Sequence, residues 1–422
     1  MRKILLAGLS VVAISAFAQE TTKFVTTQDS INIYNILIEN APQRPKIKDV
    51  PRFTLVGKDS KFYLGMGANV KFVGDFDWGS PISNPNIFAP KDIPMTPEEG
   101  NRSQTLFSVG QSNIYWNFVA FPGSKNQLGL FFDVIFLGTS SKPVMEIHHL
   151  YMKYRGFTAG YIVSTFTDLH AEPYSIDFGG PASTALVRHP NIYYTAKFGK
   201  RKEWTAQLGI DMPNMASFTN TGYTKEINQR MPDIPFFIQR SWADNKGWLR
   251  ASAILRNLQY RGGNKGGDVI LKNESAFGWG IKLSGKTPIC GGLSANYQAV
   301  YGKGVASYIQ DFSGEHLDLV PIEGENKLQA VPVWGAYGSL QYDFGKCAFI
   351  NFTYSQVRSY AKNFQSNWGD LYKYGQYVTS NLIFNVSSFA QVGVEYLWGR
   401  RMNYNGKQAH DNRIMLMLNV SI

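Results

Sequence analysis

The chain has 422 residues, 14% of them aromatic and 17% charged, with 40 glycines and 23 tyrosines, a balance that suits strands and turns better than helices. No stretch after the first eighteen residues is apolar for the length a spanning helix needs, which excludes a helical membrane protein. The net charge is +11, and two cysteines, Cys290 and Cys347, leave room for one optional bridge.

Residues 1–18 read as an export leader. Arg2 and Lys3 precede an apolar run from Ile4 to Phe17, and Ala16-Phe17-Ala18 forms a small-x-small cleavage site, so the mature chain is expected to begin at Gln19. The run is too short to cross about 30 Å of hydrocarbon. Losing Arg2 and Lys3 lowers the net charge from +11 to +9. An exported chain meets no nucleic acid, so the remaining positive charge is expected to face small anionic solutes or the headgroups of outer-membrane lipid.

Residues 19–60 differ from the rest of the chain and form a predicted N-terminal periplasmic segment. Thr27-Gln28-Asp29-Ser30 predicts a capped short helix whose apolar face is either Ile31, Tyr34 and Ile38 or Ile33, Ile36 and Leu37. A linker with Pro42, Pro45 and Pro51 comes next.

From residue 61 to 422 the pattern becomes short alternating segments punctuated by turns, which predicts an all-β fold, a transmembrane antiparallel β-barrel. Trp204, Ala206, Leu208 and Ile210 oppose Thr205 and Gln207. Ala348, Ile350, Phe352 and Tyr354 oppose Asn351, Thr353 and Ser355. The final segment sets Ile414, Leu416, Leu418, Val420 and Ile422 against Arg413, Asn419 and Ser421. Tyr301, Tyr354 and Trp398 fall at segment ends, where interfacial girdles sit. The count is about sixteen strands, a porin size class.

Connections alternate in length. Short ones fall at 122–126, 155–156, 199–202, 243–246, 287–291, 344–346 and 387–388, and long ones at 75–103, 166–188, 211–232, 260–274, 303–331, 357–376 and 400–411. A soluble sandwich has no reason to keep this two-sided asymmetry, whereas a barrel with periplasmic turns and extracellular loops does. By the same turns, Cys290 and Cys347 are both expected at the periplasmic end.

The alternation also assigns inner faces. Arg250 and Arg256 share an inward stripe, and Lys71, His149 and Lys282 fall on wet faces by the same parity. The segment 166–188 is expected to fold into the barrel as a constriction loop, with Arg188 entering from it and Asp168, His170, Glu172 and Asp177 hydrogen bonding within it. The same four residues read otherwise as metal ligands or an acid/base pair. Six histidines, at 148, 149, 170, 189, 316 and 410, have no serine with a supporting acid at recognisable spacing, so no enzyme, catalytic residue, metal or cofactor is expected. A plugged receptor would need well over a hundred residues before its first strand, and about forty precede it here.

The stretch Glu146 to Thr195 (EIHHLYMKYRGFTAGYIVSTFTDLHAEPYSIDFGGPASTALVRHPNIYYT) resembles the DcaP-like outer-membrane porins, in its strand, Ser-Thr-Phe turn, Phe-x-Gly-Pro loop and Arg-x-Pro strand. IFAPKDIP (87–94), GQSNIYWNF (110–118) and MPDIPFFIQRSWADNKGWLRASAILRNLQYR (231–261) extend the match over most of 62–261. The resemblance implies a homotrimer of sixteen-stranded barrels that passes small anionic compounds such as dicarboxylates past arginines, with Arg188 and Arg256 at matching positions. Asn113, Tyr193 and Phe237 stand where the family has arginine, which implies a weaker anion preference. The family's amino-terminal coiled coil would survive only as Ile31 to Ile38. A structural or adhesive barrel that binds partners through long loops is the rival expectation.

Overall fold

A computed structural model describes residues 27–42, 53–97, 101–139, 142–213, 216–219, 224–262, 272–322, 325, 327–361 and 369–422, and the leader lies outside them. Sixteen antiparallel strands close into a barrel. They are β1 Phe62–Gly79, β2 in two pieces, Ser103–Ser108 and Asn113–Ala120, β3 Leu128–Ile135, β4 Glu146–Tyr154, β5 Phe157–Val163, β6 Arg188–Phe198, β7 Trp204–Asp211 and β8 Ile234–Trp242. The second half is β9 Gly247–Gly262, β10 Lys272–Cys290, β11 Leu293–Lys303, β12 Pro332–Phe344, β13 Ala348–Ser359, β14 Tyr372–Asn385, β15 Ala390–Asn403 and β16 Gln408–Ser421. β1 and β16 close the ring, from Asn69 opposite Ser421 to Gly79 opposite Asp411, and leave no free edge.

The period-two pattern is why these segments are strands. Each sets one row of apolar side chains outward, so Phe72, Phe76, Leu208, Ile281, Leu340, Phe352 and Leu416 are exposed. The alternate row is buried and polar, as with Asn117, Ser284, Gln298, Thr353 and Asn381. Such a surface needs hydrocarbon around it.

The connections separate by end, with two departures from the sequence pattern. Residues 136–145 form an extra connection between β3 and β4, hidden because its apolar start continues the β3 pattern. The predicted long connection at 400–411 is a tight turn, because β15 runs to Asn403 and β16 starts at Gln408. There the ladder outlasts the apolar belt, so hydrophobic alternation ends before the strands do. Cys290 and Cys347 are exposed free thiols at the short-turn end, so the optional bridge is absent.

Helix α1, Thr27–Asn40, lies against the inner wall at the short-turn end. The buried face is the second of the two predicted, with Leu37 at 0% exposure and Ile33 buried, while Ile31 and Tyr34 are exposed. Burying Leu37 is worth about 2 kcal/mol. Its end is fastened by Asn40 Nδ2 donating to Asn117 Oδ1 at 2.6 Å, Asn117 Nδ2 donating to the Leu37 carbonyl at 2.6 Å, and Tyr151 OH donating to the Asn40 carbonyl at 2.7 Å. Gly129 makes room, since a Cβ there would overlap the Asn40 carboxamide.

Candidate pore constriction

The connection between β5 and β6, residues 164–187, leaves the wall and crosses the lumen. On the far side the Glu395 carboxylate of β15 accepts from Ser175 Oγ at 2.7 Å and from the amides of Ile176 and Asp177 at 2.8 and 3.1 Å. Asn351 and Asn381 hold the Tyr174 carbonyl at 3.2 and 2.9 Å, and Gln298 holds the Ser183 carbonyl at 2.8 Å. Lys71 of β1 donates to the Ile176 carbonyl at 3.0 Å. Gly335 on β12 lets Ser183 approach, because an added Cβ would stand 2.8 Å from the serine Cβ.

Asp177 acts as a hub inside the loop. It accepts from the amides of Phe88, Gly179 and Gly180 at 2.9, 3.1 and 2.9 Å and from Tyr377 OH at 3.0 Å. Phe88 belongs to a second inward connection, between β1 and β2, and a third, between β11 and β12, brings in Val305, Tyr308, Ile309 and Phe312. The three share one apolar core with Val73, Val333 and Leu397 of the wall. Sequence parity could not show this, because it predicts a wet lumen and gives no sign that connections fill part of it.

That filling changes what the predicted cations do. Arg256 is buried at 2% exposure, with Nε 3.0 Å from Asp233 and Nη1 3.2 Å from Asp318 and 2.6 Å from the Gly304 carbonyl, so it braces the connection between β11 and β12, the wedge of this lumen, and does not line an open path. A guanidinium taken out of water requires such partners. Arg250 points inward but meets Asp168 at 3.4 Å, Gln239 at 2.9 Å and the Thr167 carbonyl at 3.1 Å, with its guanidinium 4.0 Å from the centre of the Phe237 ring. Asp168 also accepts from Ser284 Oγ at 2.6 Å and Trp248 Nε1 at 3.3 Å. Burial pushes its carboxyl up, but the charges of Arg250 and Lys282 outweigh that and hold it at about 2.

Lys282 is inward and buried, its ammonium 5.3 Å from the Phe166 ring centre and without a hydrogen-bond partner among the described residues. Lys71 is also inward and buried behind the loop, bonded to Gln111 at 2.6 Å. Arg188 corrects the sequence reading more sharply. Its backbone pairs with Val163 and has the parity of Pro190 and Ile192, its side chain is half-buried, and His189 takes the inward place beside Asp211 at 3.1 Å. Placing it in the loop set the parity one residue off, since β6 already begins at Arg188.

His149 is inward and fully buried, but a bulge between Asp133 and Val134 turns His148 inward as well. Their Nδ1 atoms stand 3.0 and 2.9 Å from the two oxygens of Asp133. Strict alternation assigns only one of two adjacent histidines to a face, so the cluster was not legible beforehand. Among the described residues it is a group whose ligand atoms converge closely enough to hold a metal ion, although hydrogen bonds already account for it.

Below the loop, toward the short turns, lies a cavity of about 840 Å³ lined by His170, Glu172, Lys246, Lys286, Asn296 and Asp343 among others. His170 is exposed to it, Glu172 is largely buried at its edge, Asp168 is turned to its partners on the wall, and Asp177 is turned into the loop's own bonds. A wall-tethered belt above a wet vestibule can restrict what passes.

The crystal structure of the outer membrane channel DcaP of Acinetobacter baumannii superposes on 87% of this chain and 100% of its own, with a TM-score of 0.71 at 18% identity. This is the fold of an outer-membrane porin. OmpT of Vibrio cholerae matches 86% of the chain and 99% of its own at a TM-score of 0.53 and 11% identity. Salmonella typhi OmpF, in complex with daunomycin, matches 88% and 100% at 0.50 and 10% identity. No family model matches the sequence, and no curated protein does either. The porin fold and its apolar outer belt place the barrel in the bacterial outer membrane, and the sixteen-strand DcaP-like reading holds at the level of fold.

Proposed function

We propose that the chain is a passive diffusion channel for small hydrophilic solutes, with a modest preference for anions such as dicarboxylates. The observation that carries the preference is Lys282, a buried ammonium with no hydrogen-bond partner among the described residues, set beside Arg250 and sharing with it the single carboxylate Asp168. Two basic groups against one carboxylate leave an excess of positive charge beside the loop when Lys282 is protonated. The three inward connections favour a channel over an adhesive barrel, because they spend their length narrowing the lumen rather than projecting outward. On this reading β1 to β16 are the functional body and residues 19–60 an accessory segment after a cleaved leader.

One form of Vibrio cholerae OmpT is described as a trimer. We extend that state to this chain, to be checked by cross-linking in detergent. Single-channel recording in planar bilayers tests the main reading. A steady ion current with a reversal potential displaced toward the anion supports it, and a folded barrel with no conductance overturns it.

A further inference from the structure

Outward positions near the long-loop ends of six neighbouring strands form one polar row above the apolar belt. The register places Tyr301 of β11 opposite Trp334 of β12, Trp334 opposite Arg358 of β13, and Arg358 opposite Tyr374 of β14. It continues with Gln376 opposite Arg400 of β15 and Arg400 opposite His410 of β16. Lys303 flanks the row, exposed on the same face of β11. Facing pairs on antiparallel strands share a side, so all of these look away from the lumen. Below them Phe352, Tyr354, Val394, Tyr396, Ile414 and Leu416 are exposed and form the belt.

The chemistry of the row is one-sided. No outward position of β11 to β16 carries Asp or Glu, whereas the inward positions of the same strands hold Asp343, Glu395 and Asp411. Arg358 stacks over Tyr360 with its guanidinium 5.0 Å from the ring centre, and Tyr360 OH accepts from Trp334 Nε1 at 3.1 Å. Arg400 donates to Gln408. Neither arginine has a carboxylate within ion-pair distance among the described residues, and the stacking keeps the Arg358 fork oriented at the belt's edge.

Long loops mark the extracellular end of such a barrel. We propose that this row docks the phosphorylated headgroup of an outer-leaflet lipid. Arg358 and Arg400 would each grip phosphate oxygens through a planar fork, and the aromatic residues would sit at the boundary between sugar and acyl chain. The two arginines are two strands apart, about 10 Å across the sheet, a span that lets one headgroup with two phosphates engage both. A free phosphate would gain nothing from the belt below, so the chemistry favours a lipid.

The mature protein, folded in dodecyl maltoside, is titrated with a bis-phosphorylated glucosamine-disaccharide lipid, its dephosphorylated counterpart and inorganic phosphate. The bis-phosphorylated lipid should bind at least tenfold more tightly than the dephosphorylated one, and added salt should weaken it. Arg358→Gln with Arg400→Gln should cost tenfold or more in affinity. Arg358→Lys with Arg400→Lys should cost less, since it keeps the charge and loses the fork. Heat-modifiable gel mobility establishes that each variant is folded. Equal affinity for the two lipids, or full affinity in a folded Gln variant, overturns the proposal. Competition by inorganic phosphate as effective as the lipid's own binding overturns the lipid assignment. The test stands apart from the channel reading, because a sealed barrel would still bind the lipid and conductance should be unchanged in these variants.

Discussion

Arginines on the inner and outer faces of one wall live by different rules. Inside, Arg256 meets Asp233 and Asp318, Arg413 meets Asp77 at 2.6 Å and Asp75 at 3.6 Å, and Arg250 meets Asp168. Outside, Arg358 and Arg400 have aromatic and amide neighbours and, among the described residues, no carboxylate at ion-pair distance. The three inward connections make the difference. By excluding water they force each inner guanidinium to find counter-charge within the protein, while the outer ones keep a partner-rich interface. In this lumen, therefore, a basic residue is more often a brace than a selectivity group.

The largest effect should come from breaking that rule on one side only. Arg256→Ala leaves Asp233 and Asp318 facing each other without a cation, and should lower stability by about 3–5 kcal/mol. Urea unfolding followed by tryptophan fluorescence measures it. A change below about 0.5 kcal/mol would return Arg256 to the role of a surface residue of an open pore. Next in size is the tether at the far wall. Glu395→Ala removes the acceptor for Ser175 and two backbone amides, so residues 174–178 should loosen and single-channel conductance should rise with greater open-state noise. An unchanged current would place the narrowest passage elsewhere.

The same contrast explains what the sequence could say. Strand alternation responds to lipid on one side, so the barrel, its sixteen strands and the loop asymmetry were legible, and so was the loop crossing between β5 and β6. Parity also put Arg250, Arg256, Lys71, His149 and Lys282 on the inner face. It could not separate water from packed protein there, because both a hydrated wall and a salt-bridged one put polar residues inward. Asp233 and Asp318, the partners of Arg256, come from connections whose paths no periodicity encodes. Arg188 was assigned to the loop although β6 already begins there, and His148 was missed because a bulge turns it to the face that His149 already occupies; single-residue shifts of this kind invert a face.

A smaller effect concerns the wedge itself. Asp311, in the connection between β11 and β12, accepts from Tyr372 OH and from the Lys91 amide at 3.1 Å, and burial raises its carboxyl from 3.8 to about 7. A carboxyl raised on folding favours the folded state fully below its unfolded value, and that contribution is lost as pH rises through about 7. The wedge should therefore be protected better from proteolysis at pH 5 than at pH 8. Asp311→Asn should flatten the difference, and a variant that keeps the full pH dependence would assign it to another group.

The smallest effect tests whether any inner cation escapes the bracing rule. Lys282 is the candidate, since Asp168 is already satisfied by Arg250, Ser284 and Trp248, and when protonated the amine adds a charge that no second carboxylate among the described residues answers at ion-pair distance. Lys282→Gln keeps most of the volume and removes that charge. At the high effective dielectric of a wet pore, a charge at about 4 Å from a solute contributes on the order of 1 kcal/mol, which sets an upper bound of roughly fivefold on the change in relative permeability from a buried amine. The anion-to-cation ratio, read from reversal potentials in a salt gradient, should fall by up to about that factor and converge on wild type as ionic strength rises. Arg256→Gln, measured alongside, should leave the ratio unchanged, because its charge is already balanced by two carboxylates. Equal shifts in both variants would mean that the two cations face the same water, and the division between braces and selectivity groups would collapse.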